Sequence, residues 1–187
     1  MEAKKIDLKE AGLSERQITE HIKLYEGYLK KIEEIRKRIL ESAKEGNATY
    51  SELRELKLEE GFCINAIKLH EMYFDNLTSK SDAGKEVIKI IKEDFGSYDA
   101  WREEFVALAL SARGWVVLAY DWKDDKLHNY MADMHNQGGV WDTVPILVLD
   151  MYEHAYFIDF GTDKKAYIEW FLSHINWKVV GERAERF

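Results

Sequence analysis

Apolar residues recur every three or four positions at Ile18, Ile22, Tyr25, Leu29, Ile32, Ile35 and Ile39. That spacing predicts an amphipathic helix, and Ser14 stands ahead of it as a candidate N-cap. Lys30, Lys31, Glu33, Glu34, Arg36, Lys37 and Arg38 fill the other side and read as a solvated face. The stretch EGNATYSE at 45–52 turns the chain. A second helix is expected beyond it, with Leu58, Phe62, Ala66, Leu69, Tyr73 and Leu77 on one face. The two helices make an antiparallel hairpin, expected as a domain over residues 1–80.

The pattern changes after TSKSDAG, residues 78–84, which reads as a linker. KEVIKIIKEDF predicts a short helix stopped by Gly96. Ser97 caps another, expected to run to Gly114. WVVLAYDW and KLHNYMA are strand-like and joined by a tight KDD turn. TVPILVL is apolar at nearly every position and predicts a strand buried on both faces. KKAYIEWFLSHIN predicts a closing helix. The expected class is α+β: a helical hairpin, then an α/β domain over 81–187 with a small three-stranded antiparallel sheet flanked by helices.

The chain has 187 residues, 46% of them hydrophobic, which is enough for a substantial core. A net charge of -8 argues against a nucleic-acid partner. The single cysteine, Cys63, cannot close an internal disulfide; it fits a reducing compartment and reads as a small buried apolar residue. The charged N-terminal stretch has no apolar signal core, and no run approaches membrane-spanning length. These features predict a cytoplasmic protein with no membrane partner.

Common catalytic motifs are absent. There is no phosphate loop, dinucleotide glycine signature, nucleophile elbow or CxxC pair. No histidine follows a glutamate by three residues, which removes a di-iron carboxylate bundle. His21 and His70 each lie on the apolar face of one hairpin arm, so two imidazoles point into the same interior. One such histidine alone is more often a hydrogen-bonded core residue. A facing pair is poorly satisfied without a metal. Asp150 ends the apolar strand and His154 follows four residues later; a buried carboxylate is costly unless paired or bound to metal. Three imidazoles and one carboxylate suit iron, manganese or zinc. His128, His135 and His174 are left as structural or exposed.

The segment DMYEHAYF, residues 150–157, resembles the D-x-W-E-H-A-Y signature of the iron/manganese superoxide dismutase family. HEMYFDNL, EDFGSYDAWREEF, RGWVVLAYD and AYIEWFLSHINW resemble family segments in the family's order, from about Ser14 to Trp177. The resemblance implies one iron or manganese ion per subunit, held by His21, His70, Asp150 and His154, and dismutation of superoxide to dioxygen and hydrogen peroxide. It implies that Tyr28 guards the substrate channel and Trp115 walls the metal pocket. Ala66 stands where some members carry a glutamine. The NQ of MHNQGG implies Gln137 as the alternative amide, an arrangement more usual with manganese, which favours that metal. Glu153 is implied to pair with His154 of a second subunit, hence a homodimer or a tetramer. Steering of the anion falls to lysines such as Lys23 and Lys164.

The chain also departs from the family. Tyr152 replaces a tryptophan, and Asp163 and Lys164 replace an arginine pair. Tyr25 stands where a histidine is usual and is expected to take its place in the proton relay. Counting back from Tyr28 by the family spacing reaches Glu20 rather than His21. Glu20 lies off the apolar stripe, so His21 is expected as the ligand on a plain α-helix from which one residue has been deleted. Two rival readings use the same residues: a member that keeps the fold without turnover, and a zinc hydrolase.

Overall fold

The computed structural model describes residues 3–8, 11–79 and 84–185. Helix α1 (Glu15–Glu41) and helix α2 (Glu52–Asp75) form the expected antiparallel hairpin. Helices α3 (Lys85–Phe95) and α4 (Tyr98–Ser111) lead into strands β1 (Trp115–Asp121), β2 (Lys126–Ala132) and β3 (Thr143–Asp150). A 3-10 turn (Glu153–Ala155), a short helix α5 (Phe157–Phe160), helix α6 (Lys164–Ser173) and helix α7 (Trp177–Ala184) complete the described chain. The sheet is antiparallel with order β2-β1-β3, so the α+β expectation holds.

Local chemistry explains the helix starts. Ser14, Ser51 and Ser97 each accept a backbone N–H three residues on, at 3.1, 3.2 and 3.0 Å. Each thereby satisfies an N–H that has no partner inside its helix. The ends differ from expectation in two places. Helix α4 stops at Ser111, because Ala112 is already extended. Gly114 serves the next step instead: a Cβ there would lie 2.6 Å from the Ala132 carbonyl oxygen. The predicted closing helix stops at Ser173, an isolated bridge pairs Leu77 with Ile175, and Asn176 caps a separate α7.

The buried stripe of α1 is Gln17, His21, Tyr25, Leu29, Ile32 and Ile35. It lies one residue to the side of the expected Ile18 and Ile22, which are half-buried. On α2 the expected Leu58 is 45% exposed, and Leu56, Cys63, Ile67 and His70 face inward instead. Hairpin and sheet share one core. Asn76 Nδ2 donates to the Val148 carbonyl at 2.9 Å, and the Tyr73 hydroxyl donates to that of Tyr167 at 3.0 Å. The expected domain boundary between residues 80 and 81 lies outside the described residues.

Candidate metal centre

Four side chains meet where the hairpin covers the end of the sheet. His21 comes from α1, one turn after Gln17. His70 faces it from α2, with ring centroids 5.1 Å apart. Asp150 is the last residue of β3, paired with Trp115 at the start of β1. His154 follows on the 3-10 turn. Asp150 Oδ2 lies 3.2 Å from His21 Nε2, 3.1 Å from His154 Nε2 and 3.6 Å from His70 Nε2. His70 Nε2 and His154 Nε2 are 3.4 Å apart. All four ligating atoms lie within 4.8 Å of one another.

The protonation states follow from the surroundings. His70 Nδ1–H donates to the Ala66 carbonyl at 2.6 Å, which leaves a lone pair on Nε2 aimed at Asp150. Burial lowers the pKa of His70 to about 3 and lowers that of His21 as well, so both rings stay neutral. Burial alone would raise Asp150, but the imidazoles of His154 and His21 hold it ionised, well below the usual carboxylate range. Its Oδ1 accepts the Tyr152 N–H at 2.9 Å, and its backbone carbonyl accepts the Tyr167 hydroxyl at 2.7 Å. Three imidazole nitrogens converging on a buried carboxylate fit a borderline cation. A second group, Asp121, Asp124 and His128, is open to water, and its His128 is held by Asp124 at 2.9 Å.

A polar chain runs behind the four residues. Trp115 Nε1–H donates to His135 Nδ1 at 2.9 Å, and His135 Nε2 lies 3.1 Å from the Tyr28 hydroxyl. An indole nitrogen can only donate, so Nδ1 of His135 is the acceptor. Burial holds His135 neutral, with its pKa lowered to about 4, so its proton sits on Nε2 and is donated to the Tyr28 oxygen. The Tyr28 proton is left free to be given elsewhere. Trp115 also packs edge-on against His70, with centroids 5.1 Å apart.

The expected second amide is not here. Gln137 is exposed, and its backbone N–H closes a turn onto the Met134 carbonyl at 3.3 Å. His135, expected to be structural or exposed, is buried beside Tyr28, the first of those two. The loop folds back so tightly that any side chain at Gly138 would strike the Met131 carbonyl. That turn carries Gln137 outward. The readable cue was an imidazole two residues ahead of it, just past the end of β2.

Helix α1 runs without a bulge from His21 through Tyr28, and Glu20 is exposed and paired with Lys23 at 2.7 Å. Tyr25 does not join the relay. Its hydroxyl donates to Glu71 at 2.6 Å and accepts the Lys4 backbone N–H at 3.0 Å. Lys164 lines a surface recess of about 440 Å³ with Arg113, Tyr152, Glu153 and His154, whereas Lys23 lies away from it. Arg113 was not foreseen. Glu153 is exposed and forms no side-chain hydrogen bond among the described residues.

The fold and this donor set define a candidate mononuclear metal site in an α+β chain, its four side chains drawn from two helices, one strand end and a 3-10 turn. Comparison with known proteins narrows this. A family model described as "Iron/manganese superoxide dismutases, C-terminal domain" matches residues 83–183. The chain is 38% identical over 182 residues to a protein of Aquifex pyrophilus named "Superoxide dismutase [Fe]", covering 94% of this chain and 85% of that one. It is 31% identical over 183 residues to "Superoxide dismutase [Mn]" of Haloarcula marismortui, covering 96% and 89%. It is 35% identical over 176 residues to "Superoxide dismutase [Fe]" of Cupriavidus metallidurans, covering 92% and 88%. The chain belongs to the iron/manganese superoxide dismutase family.

Proposed function

We propose that the protein is a superoxide dismutase whose single iron or manganese ion is held by His21, His70, Asp150 and His154. The observation that carries this is the convergence of three imidazole nitrogens and one carboxylate in a buried site. Held there, the ion would supply the redox chemistry by which one superoxide anion is oxidised and another reduced.

The chain's own residues do the rest. Neutral histidines and one ionised aspartate keep the ligand charge low and fixed, which limits the solvation cost of a charge change in a buried site. Tyr28, supported by His135 and Trp115, delivers protons toward the side of the pocket that faces the four ligands. Arg113 and Lys164 supply positive charge near the His154 side of the site, against a chain that is negative as a whole. The relatives named above divide between iron and manganese. With Gln137 exposed, the ground for favouring manganese is gone, so the metal is either of the two.

The subunit is proposed to pair with a second copy, Glu153 reaching the ring of His154 in the partner and the partner's Glu153 reaching back. Leu24 at 42%, Phe157 at 49% and Ile158 at 40% exposure give α1 and α5 an apolar face that such a pairing would cover. No described helix is long and apolar enough to cross a membrane. The one cysteine is buried and unpaired, which supports a reducing compartment such as the cytoplasm. Elemental analysis of protein purified from its own host tests the metal reading. Iron or manganese near one ion per chain, lost in Asp150→Ala, is the expected result. Zinc as the native metal would overturn it.

A further inference from the structure

Gln17 is a fully buried polar side chain that the chemistry above does not use. It lies one helical turn ahead of His21 on the same face of α1. Its Nε2 donates to the backbone carbonyl of His154 at 2.6 Å. Its Oε1 accepts the backbone N–H of Ile158 at 3.2 Å. One carboxamide therefore ties the helix that carries the first histidine to the turn that carries the third. The N-cap Ser14 adds a neighbouring tie, its backbone N–H reaching Asp159 Oδ2 at 2.7 Å.

The other ligands are held by regular structure. Asp150 sits on a strand and its backbone carbonyl is bonded by Tyr167, and His70 sits in mid-helix with its ring fixed by Ala66. His154 sits on a three-residue turn whose N-cap makes no side-chain hydrogen bond. Its side chain is 25% exposed, against 2% for His21 and 0% for Asp150. The His154 ring stacks on Tyr152, with centroids 5.3 Å apart, and Gln17 is the side chain that grips its backbone.

We infer that Gln17 is a positioning residue that sets the separation of His21 and His154, and through it the affinity and reduction potential of the metal centre. The inference rests on the metal reading above. A residue that holds a ligand in place acts on the metal rather than on the fold alone, and loss of such support typically lowers metal affinity about 10- to 100-fold.

Three variants separate this from a plain structural role. Gln17→Glu keeps the size and the acceptor for Ile158 but loses the donor to the His154 carbonyl. Gln17→Met keeps the approximate volume and loses both bonds. Asp159→Ala breaks only the neighbouring Ser14 tie. Metal-free protein is titrated with Mn²⁺ against a competing chelator, and the midpoint potential of the loaded protein is measured. Both Gln17 variants are expected to bind Mn²⁺ at least about tenfold more weakly, with a shifted potential. Asp159→Ala is expected to lower thermal stability at unchanged affinity. Gln17 variants that lose thermal stability but keep affinity and potential within about twofold of the parent would overturn the inference. A parent protein that holds neither manganese nor iron would overturn the metal reading itself, and this inference with it.

Discussion

His135 supports two neighbours at once, and two substitutions at that position divide its roles. His135→Leu removes the acceptor for the Trp115 indole N–H and the donor to Tyr28, bonds of 2.9 and 3.1 Å in a residue that is 4% exposed. A buried donor left without a partner costs about 1–3 kcal/mol, and the second lost bond adds about 1 kcal/mol. The sum is about 2–4 kcal/mol of folding stability. His135→Gln has the opposite character. Its amide oxygen can accept from Trp115 and its amide N–H can donate to Tyr28, so the polarity of the chain survives at a cost of about 1 kcal/mol or less. Urea unfolding of the metal-free proteins measures both. A pH series adds an independent check. The His135 pKa falls to about 4 in the folded chain from an ordinary value near 6.5. As pH drops below about 6.5, the unfolded chain takes up a proton that the folded chain refuses, so this part of the stability is full above 6.5 and is lost toward pH 4. His21 and His70 act in the same direction, so the parent is expected to lose more stability over that range than His135→Gln, not all of it. Equal stability of the Leu and Gln variants, or identical pH slopes for parent and His135→Gln, would refute the polarity assigned to the Trp115–His135–Tyr28 chain.

Three further outcomes are expected. Gly27 is exposed in the middle of α1, and a methyl group at that position would meet nothing within 4 Å, so Gly27→Ala should raise stability by about 0.5–1 kcal/mol in the same unfolding assay. Burial raises the Tyr28 pKa, so the hydroxyl keeps its proton through neutral pH; Tyr28→Phe should retain metal and change the alkaline limb of the pH–turnover profile, and an unchanged profile would contradict the proton-delivery role. Glu153→Ala should dissociate the pair at concentrations where the parent is dimeric, with weaker metal retention, and a fully active monomeric parent in light scattering would contradict that.

The four proposed ligands were legible because each sits on or beside an element with a strong period. His21 and His70 fall on helix faces, and Asp150 ends a strand apolar enough to be buried on both sides. The plain helix from His21 to Tyr28 was legible for the same reason: seven residues are two turns, and Glu20 falls off the stripe. His135 and Gln137 lie in a loop, where no period says which side chain turns inward. Their directions depend on the close passage of Gly138 over Met131, a tertiary contact. Tyr25 was misread because its partner, Glu71, comes from the other hairpin arm. Gly114 looked like a helix stop, but its small size is used where β1 begins beside the Ala132 carbonyl. The break before α7 depends on pairing between Leu77 and Ile175, nearly a hundred residues apart in the chain.

The most direct test is the rate of superoxide decay as a function of metal content. The metal-free protein is loaded in steps with iron or with manganese, and in parallel with zinc, and the decay of a superoxide pulse is followed optically at each step. Acceleration that rises in proportion to bound iron or manganese up to one ion per chain, with none for zinc, is the expected result. A chain that holds a full equivalent of iron and of manganese and leaves the decay at its spontaneous rate would contradict the proposed activity.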